Sequence, residues 1–110
     1  MEFQTETTDD GIAVIRGDGR LNMVSGPALR ETVLRAVDGG NTRVVVELSR
    51  IPFMDSSGLG ALISCLKSTR EKGGDLRIVA PSAQVSMVLK LSNVDTILRP
   101  YASVEEAYRD

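Results

Sequence analysis

Two short segments near the start of the chain combine branched apolar residues with polar ones in a strand-like pattern. They cover residues 3–8 and 12–16, and Asp9-Asp10-Gly11 separates them. Branched side chains favour strands and an Asp-Gly step favours a tight turn, so the pattern predicts an antiparallel hairpin. The chain is therefore expected to open with two paired strands.

Three longer segments carry apolar residues at the three- and four-residue spacing of a helix face. Each begins with a hydroxyl side chain or a proline, typical of helix starts: Ser25 with Pro27, Ser56, and Pro81-Ser82. Glycine pairs are expected to end the first two helices, and Asn93 the third. A short fourth helix is predicted after Ser103, because Glu106 three residues later completes a capping-box pattern.

Further strands are predicted between these helices, over residues 44–48, 76–80 and 97–99. The run at 44–48 is nearly all apolar, which is typical of a parallel strand covered on both faces. The resulting order, ββαβαβαβα, predicts an α/β domain whose mixed, mostly parallel sheet has about five strands and about four helices. Functional residues in such sheets follow the carboxyl ends of strands, which directs attention to residues 51–60.

The composition is that of an ordinary folded domain. The 110 residues include 42% hydrophobic and 25% charged side chains, with a formal net charge of -2. One domain over residues 1–110 is therefore expected, and the balanced charge gives no footprint for direct nucleic-acid binding. No stretch is apolar enough to predict a membrane span, and the single Cys65 cannot form an internal disulfide, so a cytoplasmic location is expected.

The candidate chemistry lies in Met54-Asp55-Ser56-Ser57-Gly58-Leu59-Gly60, between a predicted buried strand and the second helix. One interpretation is a helix cap, because carboxylates and hydroxyls accept hydrogen bonds from the unpaired N–H groups of a helix start. The two glycines each disfavour a helix by about 1 kcal/mol relative to Ala. Either a partner needs close access to this backbone or the helix packs tightly on the sheet.

A phosphate on Ser56 or Ser57 would meet a favourable helix dipole but would add about 1.5 to 2 negative charges beside Asp55. A partner docked over Gly58 and Leu59 would not tolerate that charge, so the modification could switch binding without refolding. This mechanism requires no catalytic residue, metal or cofactor. A hydrolase is not expected, because the chain has no histidine to activate a serine and the segment is not Gly-x-Ser-x-Gly.

The stretch Phe53-Met54-Asp55-Ser56-Ser57-Gly58-Leu59-Gly60 resembles the signature of STAS-domain anti-sigma factor antagonists. The predicted element order, Gly19-Arg20-Leu21 before the first helix and the chain length are also similar to that family. The resemblance implies a STAS domain without enzymatic activity, in which Ser56 is phosphorylated by an anti-sigma factor that is also a serine kinase. The kinase would supply the ATP.

The resemblance also implies a cycle of partners. The unphosphorylated form would bind the kinase and free a sigma factor, phosphorylation would release the kinase, and a separate serine phosphatase would restore binding. Partner contacts are then expected at the residues around the serine and in the loop before the first helix: Asp55, Ser56, Ser57, Gly58, Leu59, Gly60 and Asn22. The competing interpretation is a STAS module that binds its partner constitutively, as in a lipid-transport ABC system or a signalling complex.

Two further residue groups have alternative interpretations. Many family members carry Gly-x-Leu-Asp where this chain has Gly19-Arg20-Leu21-Asn22, so Asn22 is either an altered partner contact or a polar residue that caps the loop. Met23, Met54 and Met87 could form an adaptable binding surface, but methionine more often fills core gaps. We therefore expect these methionines in the core.

Overall fold

The computed structural model describes residues 1–109, which build one sheet with helices on both faces. The strands are β1 (Phe3–Thr7), β2 (Ile12–Gly17), β3 (Arg43–Glu47), β4 (Asp75–Val79) and β5 (Pro100–Tyr101). The helices are α1 (Gly26–Asp38), α2 (Ser56–Glu71), α3 (Ala83–Leu91) and α4 (Val104–Ala107), with a 3-10 turn at Val94–Thr96. The predicted ββαβαβαβα order is confirmed.

The five strands lie side by side in the order in which they occur along the chain. β1 pairs antiparallel with β2, and each later neighbour pairs in parallel. The opening hairpin and the mixed, mostly parallel sheet are therefore confirmed.

Strand β3 shows why the sheet needs helices on both sides. Val44 and Val46 belong to a large apolar cluster shared with α1, α2 and α3. Val45 points the other way and belongs to a smaller cluster that includes Ala107 of α4. All three valines are fully buried, as expected for the nearly continuous apolar run that predicts this strand.

Cys65 of α2 lies inside the larger cluster and is 2% exposed. Burial raises the pKa of its thiol to about 12, and the positive charge of Arg30 only partly opposes this shift. Because the thiolate is the reactive form, the Cys65 thiol is inert at neutral pH.

Tyr108 fastens the segment that follows α4 to the centre of the sheet. Its hydroxyl accepts a hydrogen bond from the Val44 N–H at 3.2 Å and lies 2.9 Å and 2.8 Å from the carbonyl oxygens of Val44 and Asp75. Burial, together with the charge of Asp75, raises the pKa of the Tyr108 hydroxyl. The phenol therefore stays protonated and ties the segment after α4 across β3 and β4.

The last strand differs from the prediction. Residues 97–99 do not form it, because a 3-10 turn precedes them and Leu98 is buried in the core at 2% exposure. β5 instead begins at Pro100, which an edge strand tolerates because one side of its backbone needs no donor. The predicted capping box is also wrong, since the Ser103 side chain makes no cap hydrogen bond in this four-residue helix.

Candidate functional site

The start of α2 lies beyond the carboxyl end of β3, where the sequence predicts the site. Just before it, Leu21 and Met54 form a single parallel bridge. The Leu21 N–H donates to the Phe53 carbonyl at 2.9 Å, and the Asp55 N–H donates to the Leu21 carbonyl at 3.3 Å. These bonds hold the segment before α1 and the segment before α2 side by side.

Asp55 caps α2 by itself. Its Oδ1 accepts a hydrogen bond from the Gly58 N–H at 2.8 Å, and its backbone is extended, as at other helix caps. Ser56 and Ser57 are exposed, and within residues 1–109 their hydroxyls and backbone N–H groups make no hydrogen bond. The cap interpretation is therefore correct for Asp55 and wrong for both serines.

Gly58 and Gly60 differ in the space that surrounds them. A Cβ on Gly58 would lie 2.1 Å from the Leu21 carbonyl oxygen, so the helix could not approach the neighbouring segment as it does. A Cβ on Gly60 would meet nothing within 4 Å, and Gly60 is exposed. Tight packing accounts for Gly58, whereas Gly60 leaves the outer surface of the helix start open.

Asn22 closes the loop that precedes α1. Its Oδ1 accepts hydrogen bonds from the N–H groups of Val24 at 3.0 Å and Ser25 at 3.1 Å. The loop-capping interpretation of Asn22 therefore holds. These bonds require an acceptor oxygen only, which the aspartate found at this position in many family members would also supply.

Ser25 does not cap α1 in the way that its sequence position predicts. Its hydroxyl is turned back, accepting from the Asn22 N–H at 3.0 Å and donating to the Arg20 carbonyl at 2.7 Å. The backbone of Ser25 is already helical, so its oxygen does not face the first free N–H groups of α1. The residue is 5% exposed and stabilises the loop from inside.

The methionine prediction is right for one residue and wrong for two. Met54 is fully buried, but Met23 is 74% exposed and Met87 52% exposed. Val24 beside Met23 is 82% exposed. Met23 and Val24 thus add exposed apolar surface to the loop that Leu21 bonds to the segment before α2. The sequence signal for this exposed apolar surface is the pair Met23-Val24, which stands between the polar residues Asn22 and Ser25.

The site contains little charge of its own. Within residues 53–60, Asp55 is the one ionisable side chain. The Arg20 guanidinium lies 5.3 Å from the centre of the Phe53 ring, a cation–π contact that tethers a basic side chain beside the segment. Leu59 is half-buried against the core. A phosphate on Ser56 would therefore be the strongest charge on this face.

Two other classes of site are not seen in the part of the chain that the structure describes. No three His, Cys, Asp or Glu side chains among residues 1–109 come together where they could hold a metal ion. None of the described helices is long and apolar enough to cross a membrane.

A sequentially ordered, mostly parallel sheet with an exposed serine at a capped helix start defines a small α/β domain. Residues 4–107 match the model of the STAS domain, so the chain belongs to the STAS domain family. A relative from Staphylococcus aureus, an anti-sigma-B factor antagonist, is 24% identical over 92 residues, which cover 84% of this chain and 85% of that protein.

Solved structures agree in fold. A Thermotoga maritima structure, 27% identical, superposes with a TM-score of 0.85 over 94% of this chain and 89% of that one. The anti-sigma factor antagonist SpoIIAA in its unphosphorylated form is 25% identical, with a TM-score of 0.70 over 94% of this chain and 91% of that one. The phosphorylated form of SpoIIAA from Bacillus is 27% identical, with a TM-score of 0.70 and 94% coverage of both chains.

Proposed function

We propose that this chain is an anti-sigma factor antagonist that works by partner switching and that Ser56 is its phosphorylation site. The observation that carries the proposal is the Ser56 hydroxyl, which is exposed and makes no hydrogen bond within residues 1–109 although it stands at a helix start. Asp55 already supplies the cap, so the hydroxyl has no structural task. Ser57 shares these properties, and Ser56 is chosen because the STAS signature that the chain resembles has its phosphorylated serine directly after the aspartate.

In the unphosphorylated state, the partner is an anti-sigma factor with serine kinase activity. It docks over the helix start, where Gly60 leaves room and Met23 and Val24 present apolar side chains. Removing such exposed apolar surface from water favours association. Binding the kinase frees the sigma factor that the kinase otherwise holds.

Phosphorylation then ends the complex. The kinase transfers the γ-phosphoryl group of its ATP to the Ser56 oxygen, the serine proton passes to a base on the kinase, and ADP leaves. The new group brings about 1.5 to 2 negative charges close to the Asp55 carboxylate. A partner surface that fits a partly apolar face whose one carboxylate is Asp55 must then also desolvate a phosphate next to that carboxylate, which opposes binding.

The fold survives this modification. The phosphate stands at the amino end of α2, where the helix dipole favours an anion and the N–H groups of Ser56 and Ser57 are unpaired. A serine phosphatase hydrolyses the phosphoserine and returns the chain to its binding form. The names of the S. aureus relative and of the two SpoIIAA forms support this cycle.

Capture of partners from a lysate of the native host tests the proposal. Wild-type, Ser56→Ala and Ser56→Asp chains serve as baits, and Ser57→Asp is a matched control that places the same charge one residue away. We expect wild type and Ser56→Ala to retain an ATP-binding anti-sigma kinase. Ser56→Asp should lose at least about thirtyfold in affinity, or roughly 2 kcal/mol.

Phosphorylation by the captured kinase is then followed by mass spectrometry. Phosphate on Ser56 in wild type and none in Ser56→Ala is the expected result. Modification of Ser57 instead, or equal calorimetric affinity of Ser56→Ala and Ser56→Asp, contradicts the proposal. If all baits retain the same transporter or scaffold subunit, the chain is a constitutive STAS module of the kind found in lipid-transport or signalling complexes.

A further inference from the structure

The segment that presents Ser56 is bonded along both of its edges. Successive residues of an extended segment direct their backbone N–H and carbonyl groups to opposite sides. Phe53 and Asp55 direct theirs to Leu21, through the two bonds described above. Met54, between them, must find its partners on the other side.

A side chain of another helix supplies those partners. The Met54 N–H donates to Gln84 Oε1 at 2.8 Å, and Gln84 Nε2 donates to the Met54 carbonyl at 3.1 Å. One amide thus pairs with both groups of one residue, as a backbone peptide of a neighbouring strand would. Gln84 stands in the first turn of α3, where Ser82 is the cap.

Burial makes this pair important for the geometry of the site. Met54 is 0% exposed with Gln84 in place, and Gln84 itself is half-buried. Removing the amide of Gln84 takes away the partner of both the Met54 N–H and the Met54 carbonyl, which disfavours the arrangement of residues 53–55 seen here and opens this backbone to water. The segment would shift to find other partners, and Asp55 and Ser56 would move with it.

We propose that Gln84 is a positioning residue for the switch, holding Met54 so that Ser56 is presented to the partner and to its kinase. The inference rests on the function proposed above. It also links α3 to the site: Val85 and Leu89 anchor the helix in the large apolar cluster, and Gln84 ties the anchored helix to Met54, in the segment before Ser56.

Three variants of the full chain test this role. Gln84→Met keeps the length and volume of the side chain without its hydrogen bonds, and Gln84→Ala removes the side chain. Lys90→Ala is the matched control, because Lys90 is exposed on the same helix and makes no hydrogen bond or ion pair with the segment within residues 1–109. Amide hydrogen exchange of Met54 is measured by NMR in each, together with the melting temperature.

We expect Met54 exchange to accelerate about tenfold to a hundredfold in both Gln84 variants. The Asp55 amide, which donates to Leu21, is an internal reference and should change less. Lys90→Ala should match wild type at both amides. If Met54 exchange is unchanged in a folded Gln84→Met chain, the proposal is overturned.

The second measurement uses the anti-sigma kinase. In Gln84→Met, the affinity for the kinase and the kcat of Ser56 phosphorylation should each fall, and the KM should rise, by about fivefold or more. Lys90→Ala should leave all three unchanged. Faster Met54 exchange with unchanged affinity and phosphorylation would also overturn the proposal, because Gln84 would then be structural only. If wild type binds no kinase, the proposed function fails, and the Met54 exchange alone then decides whether Gln84 holds Met54 in place.

Discussion

The segments that lead into α1 and α2 lie next to each other and use their serines in different ways. Ser25, just before α1, is 5% exposed and its hydroxyl bonds to Arg20 and Asn22. Ser56, the first residue of α2, is exposed and its hydroxyl makes no bond within residues 1–109. The difference arises because Asp55 caps α2, so the serine after it is not needed for stability.

This comparison shows how a structural hydroxyl can be told from one that is available for chemistry. Ser, Thr and Asp are common at helix starts for local reasons, so their presence alone indicates little. The informative observation is a polar residue in the first turn of a helix that another residue already caps. Ser56 is such a residue, because Asp55 makes the cap. Substitutions in the two segments should therefore have very different effects on stability.

The largest effect is expected from Gly58→Ala. The new Cβ would lie 2.1 Å from the Leu21 carbonyl oxygen, which belongs to the backbone and cannot rotate away. The two segments must move apart, so we expect the free energy of unfolding to fall by about 3 kcal/mol. Urea denaturation followed by circular dichroism measures this value.

Gly60→Ala is the matched control for that change. Its Cβ meets nothing within 4 Å, so the chain should become about 0.5 to 1 kcal/mol more stable through better helix propensity. Equal effects of Gly58→Ala and Gly60→Ala would show that the close approach to Leu21 is not what selects glycine in this helix.

An intermediate effect is expected from Ser25→Ala. Removing this hydroxyl leaves the Asn22 N–H and the Arg20 carbonyl without their partner in a buried place, and stability should fall by about 1 to 3 kcal/mol. Thermal unfolding measures the loss. A change below about 0.5 kcal/mol would mean that water or a neighbouring group takes over both bonds, and the contrast with Ser56 would disappear.

The smallest effect on stability is expected from Ser56→Ala. The exposed hydroxyl has no partner to lose, so the unfolding free energy should stay within about 0.5 kcal/mol of wild type. Asp55→Ala in the same experiment should lower it by about 0.5 to 2 kcal/mol, because the bond to Gly58 is lost. A large loss in Ser56→Ala would place the cap on Ser56 rather than on Asp55.

Most of the fold could be predicted from the sequence because apolar spacing is a local signal. The helix that begins at Ser56 and the valine-rich strand β3 are found where the pattern predicts them. The position of the last strand could not be predicted. Leu98, in the segment predicted as that strand, is buried in the core, and the pairing with β4 begins at Pro100. Such choices depend on contacts between distant parts of the chain.

The candidate site was predictable in position but not in detail. The segment from Asp55 to Gly60 predicts a helix start. The sequence does not tell which residue makes the cap, or that Gly58 packs tightly while Gly60 is open. Those answers depend on Leu21, more than thirty positions earlier in the chain. Gln84 gives no signal in the sequence at all, because its role exists only once α3 stands beside Met54.

The order of the strands in the sheet has a consequence for how the domain is made. Each strand pairs with the strand that follows it in the chain, so the sheet can grow in the direction of synthesis without waiting for a distant segment. Domains with such near-neighbour pairing have lower contact order and fold faster than those built from distant pairs. The bonds between Tyr108 and Val44 join residues 64 positions apart, so they can form only after β3 and the segment that follows α4 have both reached their places.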